Sequence, residues 1–249
     1  MFKNILLFVL VGHILGDFYF QTEDMAEKKK SKISWVLVHG LLYAGAVFVI
    51  SIPFISQEVL VIAGSVAVLH FVIDMIKFLC TRKKKDNSKI FVIDQCAHML
   101  CLIGVAYVSA KCNYQINSNM VLKDFFDTIG ISQLMFAKWV LGLLLIHKPA
   151  NILIQNLICE YKPKEKVEKI QFKPDHNAGR MIGSVERILM FVLMYMNQFS
   201  AIGLVLTAKS IARYDQISKD KDFAEYYLLG TLISTGLVIT CAGILFGIN

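Results

Sequence analysis

The sequence predicts an all-α protein, a polytopic bundle of transmembrane helices. Of its 249 residues, 56% are hydrophobic and the mean hydropathy is +0.57, which is more apolar than an ordinary soluble domain. Runs of about 20 apolar residues recur, and each is long enough to cross a hydrocarbon core of roughly 30 Å. About seven spans follow, over 2–20, 33–53, 58–80, 90–110, 133–147 (extended in one reading to 158), 185–208 and 226–248.

Basic residues concentrate in three of the connections between these spans. Residues 21–32 hold four lysines, residues 81–89 hold five basic residues and residues 148–182 hold seven. The positive-inside rule places these connections in the cytoplasm and therefore the N-terminus outside. We expect a single integral membrane domain over 1–249, in which 1–110 forms a four-helix half and 111–249 a C-terminal helical half.

The connection at 209–225 disagrees with simple alternation, because it carries basic residues but falls on the outer side. Acidic residues in the same segment could offset that charge outside. Alternatively, the sixth span could turn back partway at its polar residues, Asn197, Gln198 and Ser200. Backbone that is not helical is tolerated at such depth only where protein or water covers it. The sequence leaves both arrangements open.

Ionisable residues interrupt the first four spans in a regular pattern. Three of these spans carry a histidine and an aspartate four residues apart, so each pair shares one helix face. The second span carries a lone histidine. The seven residues are His13, Asp17, His39, His70, Asp74, Asp94 and His98. A histidine and a carboxylate at this spacing offer one nitrogen and one oxygen ligand to a common point.

The same residues share one depth. Counted from the basic ends of the helices at 1.5 Å per residue, all seven lie roughly 8–18 Å inside the cytoplasmic end. Each aspartate in a membrane helix costs about 2.5–3.5 kcal/mol on insertion scales. A divalent cation would offset that cost, and neutral imidazole is a common ligand for one. A hydrogen-bond network between helices and a proton or ion path are the alternatives.

Four imidazoles and three carboxylates exceed the ligands of one tetrahedral zinc ion. They suit either two ions with a bridging carboxylate, or one ion with a separate acid or base. We therefore expect a divalent metal cofactor, Zn²⁺ in the first place, with Asp74 and Asp94 as candidate catalytic carboxylates. The site sits towards one face of the membrane in helices that look continuous, which disfavours a transporter.

These motifs resemble a bacterial family of polytopic membrane proteins of unknown function. Its members carry HxxxD near the start, a lone histidine in the second helix, a second HxxxD and then DQxxH, here Asp94-Gln95-Cys96-Ala97-His98. The later segments "GSVERILMF", "AKSIAR" and "FAEYYLLGTLIS" are also similar to that family. The resemblance implies that the protein is located in the bacterial cytoplasmic (inner) membrane. The ligand pattern is more loosely similar to predicted membrane-bound metal-dependent hydrolases.

The expected function is metal-dependent hydrolysis of a phospholipid or lipid-linked phosphate near the cytoplasmic face. An intramembrane metalloprotease is an alternative, although no HExxH motif is present, and a divalent-metal transporter or sensor is another. Membrane lipids and their anionic headgroups are the expected partners, and nucleic acid is not. Charged residues around the sixth span could bind substrate or form a buried network, namely Arg180, Glu186, Arg187, Lys209 and Arg213. The six cysteines lack CxxC spacing and are expected to be small buried residues.

Overall fold

A computed structural model describes residues 1–81, 88–162 and 176–247 of the chain. These residues form helices and turns without a β-strand. Six helical segments are long and apolar enough to cross a membrane, which confirms the all-α membrane fold. These segments are Phe2–Tyr19, Ile33–Phe54, Gln57–Thr81, Lys89–Lys111, Gln133–Ile158 and Lys221–Phe246.

Twelve α-helices are present in this part of the chain. In order they are α1 Phe2–Ile14, α2 Glu23–Lys29, α3 Ile33–Ser51, α4 Gln57–Thr81, α5 Ser88–Lys111, α6 Met120–Ile129, α7 Gln133–Ile146, α8 Lys148–Ile158, α9 His176–Tyr195, α10 Phe199–Ala212, α11 Tyr214–Lys219 and α12 Lys221–Phe246. The helices form two compact units, Met1–Leu141 and Gly142–Asn249.

In the first unit, α1, α3, α4 and α5 pack around an apolar core that includes Ile5, Tyr43, Ile62 and Ala106. The short helix α2 joins α1 to α3. It begins at an N-cap, where the Thr22 side chain accepts a hydrogen bond from the Met25 amide, and lysines occupy its last turn. This arrangement follows helix-dipole preferences. It also fixes the position from which Lys29 reaches the four-helix core.

The first transmembrane helix is not α-helical throughout. After α1, residues Leu15–Tyr19 form one π-helical turn, which contains Asp17. The sequence predicts a continuous helix here, so the turn is a correction. A π turn adds one residue to the helical repeat and so changes where a side chain points, and such turns are frequent at functional sites. This one sets the direction of Asp17.

The predicted fifth span takes its longer form, to residue 158, but it is broken in the middle. The helix α7 ends at Ile146, and α8 begins at Lys148 with Pro149 in its first turn. Proline lacks the amide proton that would continue the ladder. The buried Arg187 of α9 donates from Nε to the carbonyl oxygen of Ile146, at the end of α7. A cation at a helix C-terminus is favourable, so Arg187 stabilises the break.

The predicted sixth span is a helical hairpin and not a single crossing. The helix α9 ends at Tyr195, Asn197 has a left-handed φ of 57°, and α10 begins at Phe199 and packs back on α9. Asparagine is among the few residues that adopt this conformation readily. Lys209 of α10 therefore returns to within 2.7 Å of Glu186 of α9. The structure has the arrangement that turns back, which returns Lys209 to Glu186 in the middle of α9.

The expectation for the cysteines is largely wrong. Cys80, Cys96, Cys112 and Cys159 are exposed, and Cys101 and Cys241 are partly exposed. The spans hold many exposed apolar side chains, such as Leu41 and Leu100. Outward cysteines belong to that apolar surface, where a small apolar residue needs no packing partner in the protein.

Candidate metal centre

The first unit brings all seven ionisable residues of the early spans together in its interior. Each is at most 7% exposed. They come from four different transmembrane segments: His13 and Asp17 from the first, His39 from α3, His70 and Asp74 from α4, and Asp94 and His98 from α5. These four segments alternate in direction. Only residues at a common depth can therefore meet in this way.

Asp17 and His39 lie at the centre of the cluster. His39 Nε2 lies 3.2 Å from Asp17 Oδ1 and 3.4 Å from Asp74 Oδ2. His70 Nε2 lies 3.5 Å from the same Asp17 oxygen. The imidazole rings also approach one another, with centroids 4.4 Å apart for His70 and His98 and 5.3 Å apart for His13 and His98. The nitrogen and oxygen atoms of four helices thus converge on one small volume.

Each carboxylate has one oxygen held by a nitrogen donor from outside the seven. Lys29 Nζ donates to Asp74 Oδ2 at 2.9 Å, and Lys77 Nζ donates to Asp94 Oδ2 at 2.8 Å. Gln95 Nε2 donates to Asp17 Oδ2 at 3.1 Å. The other oxygens of Asp17 and Asp94 lie 3.2 Å from His39 Nε2 and 3.8 Å from His98 Nδ1, and Asp74 Oδ1 is buried without a hydrogen bond. Outer donors that fix one atom of a ligand and leave the other available are typical of metal sites.

Two histidines have one ring nitrogen fixed in a similar way. His98 Nδ1 lies 2.9 Å from the backbone carbonyl oxygen of Asp94. A carbonyl oxygen only accepts, so Nδ1 carries the proton and Nε2 keeps its lone pair. His13 Nδ1 lies 3.3 Å from the hydroxyl oxygen of Tyr43. Both rings therefore present Nε2 towards the interior of the cluster.

Many buried polar atoms of the cluster make no hydrogen bond. Six ring nitrogens are in this state, and so are Asp74 Oδ1 and Asp94 Oδ1. The nitrogens are His13 Nε2, both nitrogens of His39, both nitrogens of His70, and His98 Nε2. Buried polar atoms in native proteins nearly always have a partner, because leaving one unpaired costs about 1–3 kcal/mol. The cluster holds eight such atoms.

The possible ligand atoms of the cluster are arranged in three groups, each of which could hold a cation. In each of three groups, one ligand atom per residue lies within 4.8 Å of the others. The groups are His13, Asp17 and His70; His39, His70 and Asp74; and Asp74, Asp94 and His98. Asp74 belongs to the second and third groups. A shared carboxylate is the arrangement by which one residue bridges two metal ions.

Tyr43 packs against two of these histidines. Its ring is fully buried and stacks on His70 with centroids 3.6 Å apart. The ring fits only because position 16 is glycine: a Cβ there would lie 2.6 Å from Tyr43 Cδ2. A small residue at position 16 thus allows the helix that carries Tyr43 to approach closely.

The five candidate substrate residues lie in the second unit. Lys209 and Glu186 form an ion pair. Arg187 donates to Ile146, Asn151, Ser184 and Ser234 inside the unit. Arg180 is exposed at the start of α9, and Arg213 is half-buried between α10 and α11. The contacts of Glu186, Arg187 and Lys209 are those of a buried polar network.

Sequence reasoning missed four residues that touch the cluster: Lys29, Lys77, Gln95 and Tyr43. Three of them carried a signal. Lys77 lies seven residues after His70 and three after Asp74, on the same face of α4, and Tyr43 lies four residues after His39. Gln95 stands inside the DQxxH motif. Lys29 had no such signal, because its contact depends on how α2 folds back over α4.

One comparison with known proteins bears on this region. Residues 5–126 match the family described as "Protein of unknown function (DUF3307)". The matched segment, the DUF3307 region, contains all seven residues of the cluster together with Lys29, Tyr43, Lys77 and Gln95. The match agrees with the resemblance to a membrane protein family of unknown function, but it ends in α6.

The similarity expected for the C-terminal segments and for membrane-bound metal-dependent hydrolases stays a prediction. No curated protein and no solved structure matches the chain.

Proposed function

We propose that the cluster in the DUF3307 region binds a divalent cation, and that the protein is a metal-dependent hydrolase of a phospholipid or lipid-linked phosphate. The observation that carries the proposal is the set of unpaired nitrogen and oxygen atoms on six of the seven buried residues. Imidazole nitrogen and carboxylate oxygen are ligands that suit Zn²⁺, Mn²⁺ or Fe²⁺, with Zn²⁺ as the leading candidate.

The same atoms argue against a purely structural network. A buried polar network stabilises helices only when its members are hydrogen-bonded to one another, and a partly satisfied one is costly. Here the outer atoms are hydrogen-bonded by Lys29, Lys77, Gln95 and Tyr43. Several inner atoms have no hydrogen bond, and Asp17 Oδ1 alone lies near two imidazole nitrogens, at 3.2 and 3.5 Å. Outer atoms with fixed hydrogen-bond partners around inner ligand atoms without them favour a cation at the centre of the cluster.

The charge of the cluster also favours a cation. Three aspartates contribute −3 and the paired Lys29 and Lys77 contribute +2, so the sum is −1 with neutral imidazoles. The contacts of Asp17 are with Gln95, His39 and His70, none of which has a fixed charge. One divalent ion would bring the sum to +1. A site with that charge attracts an anion such as a phosphate ester.

We assign different roles to the two candidate catalytic carboxylates. Asp74, which two of the three groups share, would hold the metal together with the histidines and Asp17. Asp94 belongs to one group, and its Oδ1 is unpaired while Oδ2 accepts from Lys77. Asp94 is therefore the better placed general base.

A bound divalent ion activates water and polarises a phosphoryl oxygen. In hydrolysis the oxygen of water bonds to phosphorus, and the bond from phosphorus to the lipid oxygen breaks. Asp94 Oδ1 takes the proton that water gives up, and the Lys77 ammonium supplies one to the departing oxygen. Because Lys77 Nζ and Asp94 Oδ2 are 2.8 Å apart, the proton then passes from Asp94 to Lys77 and restores both groups.

The location of the cluster supports a lipid substrate. It lies among helices that can cross a membrane, roughly 8–18 Å from their basic ends by the helical rise. The basic segments at 28–32 and 82–89 would attract anionic headgroups by about 1 kcal/mol per residue near the surface. The inner membrane of a bacterium, with the site at its cytoplasmic face, is the setting that we propose.

The proposal is tested by metal analysis and hydrolysis assays on the purified full-length protein. We expect one to two metal ions per chain and release of product from at least one member of a panel of phospholipids and lipid-linked phosphates. Asp94→Asn should keep at least half of the metal and lose activity by about 10²–10⁴-fold, the usual contribution of a general base.

A metal content no higher than background in the purified wild-type protein would overturn the proposal. Bound metal without lipid hydrolysis, but with metal flux in vesicles, would favour a transporter instead. Bound metal with cleavage of a membrane peptide would favour a metalloprotease.

Tyr43→Phe tests whether Tyr43 positions the ligands. The substitution keeps the ring that stacks on His70 and removes the hydroxyl beside His13 Nδ1. We expect metal affinity to fall about 10–100-fold, the usual effect of losing an outer partner of a ligand. Thermal unfolding without metal should change little. Tyr107→Phe, on the exposed face of α5, is the matched control, and equal affinity in both variants would contradict the assignment.

A further inference from the structure

The short helix α6 has a defined beginning and end between the spans α5 and α7. At its first turn the Asn119 side chain accepts a hydrogen bond from the Leu122 amide, and Gly130 ends the helix with a left-handed φ of 68°. Asparagine and glycine are the residues that favour a helix start and a helix stop, respectively. The ten residues Met120–Ile129 therefore form a separate helix and not an extension of either span.

The level of α6 along the bundle follows from its connections. The Asn119 amide donates to the carbonyl oxygen of Pro53 at 2.7 Å, and Pro53 lies at the end of the membrane-spanning segment Ile33–Phe54. At its other end, α6 is joined to α7 by residues 130–132 alone. A helix of this length measures about 15 Å, half the thickness of a hydrocarbon core. It is too short to cross the membrane, so α6 lies at the membrane surface where α3 ends and α7 begins.

Two sides of α6 are exposed and differ in chemistry. One side carries Val121, Phe125 and Ile129, which are 78%, 55% and 44% exposed. Residues four apart share a helix face, so these three form a continuous apolar stripe, the α6 stripe. Lys123 and Asp127 are exposed on the opposite side of the helix.

A third side holds α6 against the protein. Phe126 is buried, and the centroid of its ring lies 5.2 Å from that of Phe136 on α7. Leu122, one turn earlier on the same side, is half-buried. This packing fixes the rotation of α6 about its axis and therefore the direction in which the α6 stripe points.

The α6 stripe lies among other apolar side chains at the ends of the spans. Ile52 and Ile55, on either side of Pro53, and Leu134, at the start of α7, are also large, apolar and exposed. Exposed apolar residues on membrane-spanning helices face lipid. The stripe extends that lipid-facing surface from the spans onto a helix that does not cross the membrane.

We infer that α6 lies in the boundary between the headgroups and the acyl chains of the bilayer, with the α6 stripe in the acyl region and Lys123 and Asp127 among the headgroups. Helices of this kind bury their apolar face about 5–10 Å into that boundary. One lysine and two aspartates give α6 a net charge of −1. The partner is thus the bilayer itself, held by apolar contact and not by attraction to anionic headgroups. The inference is independent of the proposed metal site, whose residues on α5 lie in the first half of that helix, whereas α6 follows its last residue.

The test measures quenching of tryptophan fluorescence by brominated lipid. The full-length protein with Trp35→Phe and Trp139→Phe has no tryptophan, so one can be introduced at a chosen position of α6. The variants are placed in phosphatidylcholine vesicles whose acyl chains carry bromine near the headgroup end. We expect Phe125→Trp to be quenched about threefold more strongly than Lys123→Trp, the matched control on the opposite side of the same helix.

A second pair of variants and a change of lipid make the result independent of one substitution. Ile129→Trp and Asp127→Trp should differ in the same way as the first pair. Bromine near the methyl end of the acyl chain should quench Phe125→Trp less than bromine near the headgroup, because the stripe is shallow. Replacing half of the lipid by phosphatidylglycerol should change the quenching less than about twofold, since no anionic headgroup is required. Elution as a single species shows that each variant is folded.

Three outcomes would overturn the inference. Equal quenching of Phe125→Trp and Lys123→Trp by lipid would show that the two sides of α6 meet the same medium. Quenching of Phe125→Trp by aqueous iodide but not by brominated lipid would place the stripe in water. Protection of Phe125→Trp from both quenchers would show that protein covers the stripe, either a second copy of the chain or another partner.

Discussion

Replacing Asp74 by asparagine should lower bound metal to less than a tenth of the wild-type amount. Asp74 is 3% exposed and belongs to two of the three groups of ligand atoms. Its Oδ1 is unpaired, while Oδ2 accepts from Lys29 and lies 3.4 Å from His39 Nε2. Asparagine keeps the shape but removes the charge, so both positions that share Asp74 would weaken together.

We would measure the metal content by mass spectrometry. Thermal unfolding with and without added Zn²⁺ gives a second measurement. A ligand that binds the native state raises its stability by mass action, so the wild type should melt at a higher temperature when Zn²⁺ is added. In Asp74→Asn, added Zn²⁺ should not raise the melting temperature. Asp127→Asn, on the exposed surface of α6, is the matched control and should keep it. Equal metal in Asp74→Asn and wild type would show that Asp74 is not a ligand.

Lys29→Met separates a metal site from a structural ion pair. If the pair between Lys29 and Asp74 serves only stability, removing Lys29 leaves a buried carboxylate unpaired, and added metal will not help. If Asp74 is a ligand, a bound cation compensates the carboxylate. We therefore expect Zn²⁺ to raise the melting temperature of Lys29→Met at least as much as that of the wild type.

The sequence was sufficient to predict the members of the cluster, because their signal is local. A histidine and an aspartate four residues apart share a helix face in any α-helix, and charge in the connections gives each helix its direction. The π turn at Leu15–Tyr19 had no such signal. Gly16, inside this turn, lies against the ring of Tyr43, which belongs to another helix. Roles that arise between helices, as for Lys29, were missed for the same reason.

The hairpin of α9 and α10 shows a similar limit. Asn197 and Gln198 marked a possible interruption in the apolar run, but the sequence could not show whether the chain continued or turned back. The deciding contact joins Glu186 to Lys209, which are 23 residues apart in sequence. Local propensity can weaken a helix at Asn197, whereas only packing between the two helices fixes the direction of the second.

Replacing Lys209 by methionine should strongly destabilise the second unit. Lys209 Nζ lies 2.7 Å from Glu186 Oε2, and the Glu186 side chain is 5% exposed. Lys209 also donates to Thr231 and lies over the ring of Tyr227. Removing one partner of a buried pair typically costs about 3–5 kcal/mol, because the other charge is left without compensation. The loss should appear as unfolding at a lower denaturant concentration in detergent.

The double variant Glu186→Gln, Lys209→Met tests the cause of that loss. With no charge left behind, it should be more stable than Lys209→Met alone, although it lacks both members of the pair. Lys219→Met is the control: its partner Asp215 is exposed, and surface pairs contribute only about 0–1 kcal/mol. A double variant as unstable as Lys209→Met would contradict a buried ion pair between α9 and α10. The position of Lys209 at the same end of the hairpin as Glu186 would then need another explanation.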